Sequence, residues 1–341
     1  MSEDEIKIHR GLNNVYFDRT KTTYINGKEG ILEYRGFNIH DLAEKSSFEE
    51  VSYLLLYGKL PTSAELETFN SSLKSSRNIP GEIIDIIKSL KDSHPMDVLR
   101  TSVSALSRFD EESGDKSYEA TMRKGIRLTS QVPTIVMAHN SLRNGKNPVE
   151  PSKELSHAAN FIYMLNGETP TESTATLMDK DFIVHADHGS NASAFAARVC
   201  AGTQADLHSA ITTGISVLSG PSHGGAAENV MKMVKEVGSP DNAKDYVINL
   251  QKSGERVMGF GHRVYKAEDP RAAQLREGVK FLSEEKSWLA FFTKEKKLFS
   301  ILKNKLIDLS NIIGMSISDF RILVNKIKKG ERESRIAKKE M

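Results

Sequence analysis

The sequence predicts an all-α, two-domain protein with one small β-hairpin near the N-terminus. Apolar residues recur at helical spacing through most of the chain, short Gly, Pro or polar links separate these runs, and only one early stretch is β-prone. At 341 residues the chain exceeds the roughly 250–300 at which one core stops growing, which implies two lobes.

The β-prone runs are Thr22 to Ile25 and Ile31 to Tyr34, on either side of Asn26-Gly27, a pairing that favours a tight turn. Helical periodicity follows. Phe48, Val51, Leu54 and Leu55 fall on one face, and Gly58 ends that helix. Thr62 and Glu65 have the spacing at which hydroxyl and carboxylate each satisfy a free N–H, so a second helix starts there. Further helical runs are "GEIIDIIKSL", "HPMDVLRTSVSALSRF", "RLTSQVPTIVMAHNSL", "ELSHAANFIYML" and "TESTATLMDKDFIVHADHGSNASAFAARV". No fixed-period repeat interrupts them, which argues against a solenoid.

Composition narrows the function classes. A hydrophobic share of 38%, a charged share of 27% and a net charge of +2 describe a globular protein without the basic excess of a nucleic-acid binder. The single cysteine, Cys200, excludes an internal disulfide framework and a cysteine-based metal cage. No run of about 18 apolar residues and no signal-like N-terminus is present, so the expected location is the cytoplasm, with no membrane partner. Charge shifts late in the chain. Residues 283–341 hold 14 Lys/Arg and 8 Asp/Glu, against a net negative remainder, and end in "KIKKGERESRIAKKEM". A solvated basic helix is one reading of that tail.

Three stretches suit chemistry on a small anion. In "GFGHRVYKAEDPR", Gly259 and Gly261 allow close backbone approach around His262, while Arg263 and Lys266 add positive charge. Asp269 is a good helix cap and Pro270 suits the first helical position, which puts Arg271 in the first turn, where N–H groups and a guanidinium favour carboxylate or phosphate. The alternative is a glycine turn with a surface histidine. In "SGPSHGGAAENV", His223 precedes a helix start and could donate an N–H to negative charge developing on an oxygen, an enolate stabiliser's role; the alternative is a structural turn. In "HADHGSNAS", His185 and His188 stand three apart and could share a helical face beside Asp187 and Asn191. A metal would need further ligands at recognisable spacing, so a polar substrate contact is the preferred reading. His94 reads as a helix-start cap, and His157 and His208 as partly buried helical residues.

Taken together, "GILEYRGFNIHDLAEKSSFEEVSYLLLYGKLPT", "HPMDVLRTSVSAL", "LSHAANFIYML", "HADHGSNASAFAARV", "SGPSHGGAAENVM" and "GFGHRVYKAEDPR" resemble the citrate synthase family in order and spacing, over residues 10 to about 285. The likeness is to the shorter bacterial and archaeal citrate and 2-methylcitrate synthases, and it implies a homodimer whose small domain closes over the active site. Residues 1–222 would form the large helical domain, 223–282 part of the small one, and 283–341 a divergent basic segment. The resemblance implies condensation of acetyl-CoA with oxaloacetate to citrate and CoA, or of propionyl-CoA in a 2-methylcitrate synthase, without metal or prosthetic group. His223 matches the histidine that stabilises the enol or enolate of the thioester, and His262 the one that polarises and protonates the oxaloacetate carbonyl. His188 and Arg271 match oxaloacetate-binding positions, and Arg263 and Lys266 lie where the family approaches CoA.

The reaction also needs a base, since a thioester methyl is a weak acid. In the family this is the aspartate of a motif resembling Pro-Asn-Val-Asp-Phe-Tyr-Ser. Here only "GMSISDFRI" is similar, with Asp319 as the candidate base and no motif to assign Arg321, Arg332 or Arg335. Three readings of the tail follow: a replacement that retains activity, an out-of-frame or truncated terminus that disables the synthase, or a homologue that binds oxaloacetate or acyl-CoA without catalysis.

Overall fold

The structure is a computed structural model, and it describes residues 19–221, 223–238, 240–255, 257 and 264–284. Within them a three-stranded antiparallel sheet, β1 (Thr23–Asn26), β2 (Ile31–Tyr34) and β3 (Phe37–Asn38), precedes thirteen α-helices. The expected hairpin is present, shifted by one residue in its first strand, with Thr23 opposite Tyr34 and Asn26 opposite Ile31. Asn26 closes the turn because its side-chain oxygen accepts from the N–H groups of Lys28 and Glu29 at 3.1 and 3.3 Å. The short β3 was not foreseen. It follows a two-residue reversal at Arg35 and Gly36, both with positive φ, and pairs with β2.

The helices α1 (Ile39–Lys45), α2 (Phe48–Tyr57), α3 (Ser63–Ser75), α4 (Gly81–Ser89) and α5 (Pro95–Leu106) come next. Gly58 ends α2 in the left-handed region at φ 82°, and Thr62 with Glu65 forms the reciprocal cap of α3, both as the sequence predicts. Then come α6 (Tyr118–Arg143), α7 (His157–Asn166), α8 (Glu172–His185), α9 (Ala192–Gly202) and α10 (Leu207–Leu218). The last described helices are α11 (Gly225–Val237), α12 (Pro240–Ser253) and α13 (Pro270–Glu284). None of the described helices is long and apolar enough to cross a membrane.

Two apolar clusters organise these elements. In the first, Leu32 and Tyr34 of the sheet meet Ile39 and Leu42 of α1, Val51 and Leu54 of α2, and Ile183 and Val184 of α8. Phe48 and Leu55 pack beside them, which completes the face predicted for α2. The second joins α4, α5, α6 and α10 through Ile83, Ile87, Val98, Val103, Ile135 and Ile215. Fully burying an aliphatic side chain contributes about 1.5–3 kcal/mol, so these clusters hold the helices against one another while caps and glycines set their ends.

Polar groups set the remaining angles. The Asp179 carboxylate of α8 accepts from the Phe48 N–H at the start of α2, at 3.1 and 3.2 Å. Burial, reinforced by Glu49, raises the Asp179 pKa to about 7. Helix α13 lies against α8 and α1, with Leu275 on the first cluster and the Gln274 amide 2.8 Å from His40 Nδ1. Arg271, on the first turn of α13, is therefore carried to the end of α8.

Candidate active site

The run from Glu172 to Val199 reads as continuous helix but breaks between α8 and α9. His185 is the last residue of α8, Gly189 has φ 67°, and Asn191 caps α9 by accepting from Ala194 N–H at 2.8 Å. His185 and His188 consequently do not share a helical face. His185 turns back to Asp181, with Nδ1 2.8 Å from its carbonyl oxygen, and the Asp181 carboxylate raises its pKa. His188 turns the other way, its Nε2 3.2 Å from the Tyr265 hydroxyl. The reason is a strand residue below the link. The buried Tyr34 hydroxyl donates to the Val184 carbonyl and accepts from Asp187 N–H, each at 3.2 Å, which ties the end of α8 to β2. The Asp187 carboxylate accepts in turn from Gly189 N–H at 3.4 Å, and burial raises its pKa although the backbone N–H groups of Gly189 and His188 oppose the shift.

His223 enters from the α10–α11 corner. Its N–H donates to Gly220 O at 2.9 Å and Gly224 N–H donates to Leu218 O at 2.9 Å, so the chain reverses tightly after α10. A Cβ at Gly224 would stand 2.6 Å from the Leu218 carbonyl oxygen, which is why glycine follows the histidine. His223 is partly buried just before α11, as expected, and its Nε2 lies 3.0 Å from Ser193 Oγ. Ser193 is also 2.7 Å from Asn191 Oδ1, so its single hydroxyl proton has two acceptors within reach. With that proton turned to Nε2, the imidazole carries its own proton on Nδ1 and can donate from there. Asn191 Oδ1 keeps its bond from Ala194 throughout.

The third segment is held by the hairpin. Lys266 N–H and Ala267 N–H donate to Gly27 O at 2.6 and 3.3 Å, and a Cβ at Gly27 would overlap the Val264 carbonyl. Asp269 caps α13 as predicted, accepting from Arg271 N–H at 3.0 Å. It also takes the Arg271 guanidinium through Nε at 3.0 Å and Nη2 at 2.6 Å, so the expected convergence of N–H and guanidinium is seated on a carboxylate of the chain itself. Arg271 lies beside both phenols, Tyr34 and Tyr265, and its charge acts on each. Lys266 is exposed.

Of the expected site residues, the structure places His188 in the α8–α9 connection against Tyr265, His223 against Ser193 of α9, and Arg271 on Asp269 at the start of α13. Sequence reasoning missed Ser193, Tyr34 and Tyr265, whose partners lie 30, 150 and 77 positions away. His262, Arg263, the glycines at 259 and 261, and Asp319 lie outside the described residues, as does most of the basic tail. His94 caps α5 as expected, Nδ1 accepting from Met96 N–H at 3.3 Å. His157 and His208 are fully buried rather than partly so; burial lowers both pKa values, that of His157 to about 4. Among the described residues no group of three or more His, Cys, Asp or Glu side chains is placed to hold a metal.

Comparison with known proteins shows the family and the fold. A family model, citrate synthase C-terminal domain, matches residues 11–306, and so runs past the composition change at Ser283. Citrate synthase of Deinococcus radiodurans is 45% identical over 271 residues, 79% of this chain and 72% of that protein. The 2-methylcitrate synthase of Mycobacterium tuberculosis is 38% identical over 289 residues, 84% of this chain and 73% of that protein. The crystal structure of citrate synthase from Pyrobaculum aerophilum superposes with a TM-score of 0.78 at 38% identity, over 86% of this chain and 74% of that one.

Proposed function

The chain belongs to the citrate synthase family and is an acyltransferase of that type, and we propose that it condenses acetyl-CoA with oxaloacetate, releasing citrate and CoA. The observation that carries the reading is that each of the three residues is held by a named partner, His188 by Tyr265, His223 by Ser193 of α9 and Arg271 by Asp269. Both relatives named above are synthases, which gives no support to a chain that binds without catalysis.

In this reading Arg271 and His188 receive the oxaloacetate carboxylates. Asp269 holds the Nε and Nη2 side of the guanidinium and leaves the Nη1 edge for the substrate. Asp319 takes a proton from the thioester methyl group while His223 donates from Nδ1 to the thioester oxygen, on which negative charge builds. The new carbon nucleophile attacks the ketone carbon of oxaloacetate, and His262 protonates the ketone oxygen. Water then cleaves the thioester, giving citrate and the free thiol of CoA. No metal or prosthetic group takes part. Lys266, exposed on the loop behind the hairpin, and Arg263 meet the anionic end of CoA.

Two further assignments belong to the same reading. Residues 1–222 form the large domain and residues 223–282 part of the small one, with the boundary at the corner before His223. The chain pairs as a homodimer, supported by α9, whose sequence "ASAFAARVCAG" is mostly apolar yet has no buried residue, with Val199 55% exposed.

The acyl group is decided by a competition experiment. We expect kcat/KM for acetyl-CoA to exceed that for propionyl-CoA, by a modest factor of about 10–200 because one methylene contributes little discrimination. A preference for propionyl-CoA assigns the chain to 2-methylcitrate synthesis instead.

A further inference from the structure

We infer that Tyr265 is a positioning residue for oxaloacetate recognition, its buried hydroxyl holding the His188 ring and selecting the tautomer that can donate from Nδ1. This rests on the proposed assignment of His188 to oxaloacetate. Tyr265 is 1% exposed, so it acts through the histidine and not on the ligand. Its hydroxyl lies 3.2 Å from His188 Nε2, and the two rings meet edge to face with centroids 5.5 Å apart.

Ring contact fills space, while the hydroxyl carries chemical information. Burial raises the phenol pKa to about 12, with Asp269 reinforcing the shift and Arg271 opposing it. The group therefore keeps its proton at working pH and can serve as a donor to Nε2. An imidazole that accepts at Nε2 carries its proton on Nδ1, and a substrate carboxylate needs that N–H. The phenol is itself well placed to orient another group, because the two residues after it are bonded to Gly27 O on the hairpin. Tyr34 holds the other side by tying Asp187, the residue before His188, to β2. The ring is thus held by Tyr265, and the backbone before it by Tyr34.

The position has a second consequence. Tyr265 is buried and meets the His188 ring, not the ligand, so its effect falls on binding. Loss of the hydroxyl should weaken oxaloacetate binding while the chemical step on bound substrate proceeds.

The test is steady-state kinetics of the full chain as wild type, Tyr265→Phe, His188→Ala and the double variant. Phenylalanine keeps the ring contact and removes only the hydroxyl. The expected result for Tyr265→Phe is an oxaloacetate KM raised about 3- to 10-fold, the scale of one hydrogen bond, with kcat and the acetyl-CoA KM changed less than about twofold. In the His188→Ala background the same substitution should add nothing, because the hydroxyl then has no ring to orient. An unchanged oxaloacetate KM in Tyr265→Phe, beside a raised one in His188→Ala, overturns the inference and leaves the His188 assignment standing. An equal loss from Tyr265→Phe with and without His188 also overturns it, since the hydroxyl would then act independently of the histidine. An unchanged KM in His188→Ala overturns the assignment of His188 to oxaloacetate, and the inference with it.

Discussion

Replacing His223 with alanine lowers kcat for CoA release about 10²–10³-fold and changes the oxaloacetate KM little. The enolate oxygen develops charge only as the methyl proton leaves, so an N–H aimed at it contributes to the transition state and not to binding of the second substrate. The supporting shell sharpens the expectation. Ser193 Oγ, at 3.0 Å from Nε2, decides which nitrogen carries the proton: donating to Nε2 leaves the imidazole proton on Nδ1, whereas donating to Asn191 Oδ1, 2.7 Å away, leaves it on Nε2. Initial rates at saturating oxaloacetate, with folding confirmed by circular dichroism, separate this from a damaged corner. A folded His223→Ala protein with near-normal kcat removes the histidine from the chemistry.

Substituting Arg271 by leucine gives the second large effect, an oxaloacetate KM raised about 10²-fold or more. Truncating one member of a buried charged pair typically costs about 2–5 kcal/mol, and each 1.4 kcal/mol is a factor of ten; Arg271 and Asp269 are partly buried, their side chains 19% and 22% exposed. Here two losses act together. The substrate carboxylate loses its guanidinium, and the Asp269 carboxylate, no longer paired with that guanidinium, repels the incoming dianion. Adding Asp269→Asn to Arg271→Leu should therefore recover part of the binding. Arg271→Lys should recover less than its charge suggests, because an ammonium cannot reproduce a planar two-sided grip. KM values and oxaloacetate-induced thermal shifts read both effects. Equal KM values for Arg271→Leu and wild type would take Arg271 out of the oxaloacetate site.

Features that depend on a few neighbouring residues were legible in the sequence. Gly58 after α2, the Thr62–Glu65 cap of α3 and the Asp269-Pro270 start of α13 are local chemistry, and each appears where its residues predict. The break between α8 and α9 was hidden by apolar residues on both sides of it. Its signal was "HGSN", a glycine suited to positive φ followed by an asparagine that can cap a helix. The orienting groups were less accessible still. Ser193, Tyr34 and Tyr265 look like ordinary helix, strand and loop residues until the fold brings them to His223, Asp187 and His188. The candidate histidines were legible from glycines and helix starts nearby, but which nitrogen each presents is a property of these distant partners. His208 illustrates the converse: it is the second residue of α10, reads as partly buried, and is fully buried, with Nε2 3.6 Å from the Asp110 carboxylate.

Joining an acyl thioester to oxaloacetate with release of CoA is the activity on which every residue role above depends. The most direct measurement is free-thiol release by the purified full-length protein, with acetyl-CoA and oxaloacetate supplied together and separately. The account predicts release that requires both substrates and disappears in His223→Ala. Folded protein that is thermally stabilised by oxaloacetate yet releases no thiol from acetyl-CoA or propionyl-CoA would contradict it, leaving a binding protein on a synthase scaffold.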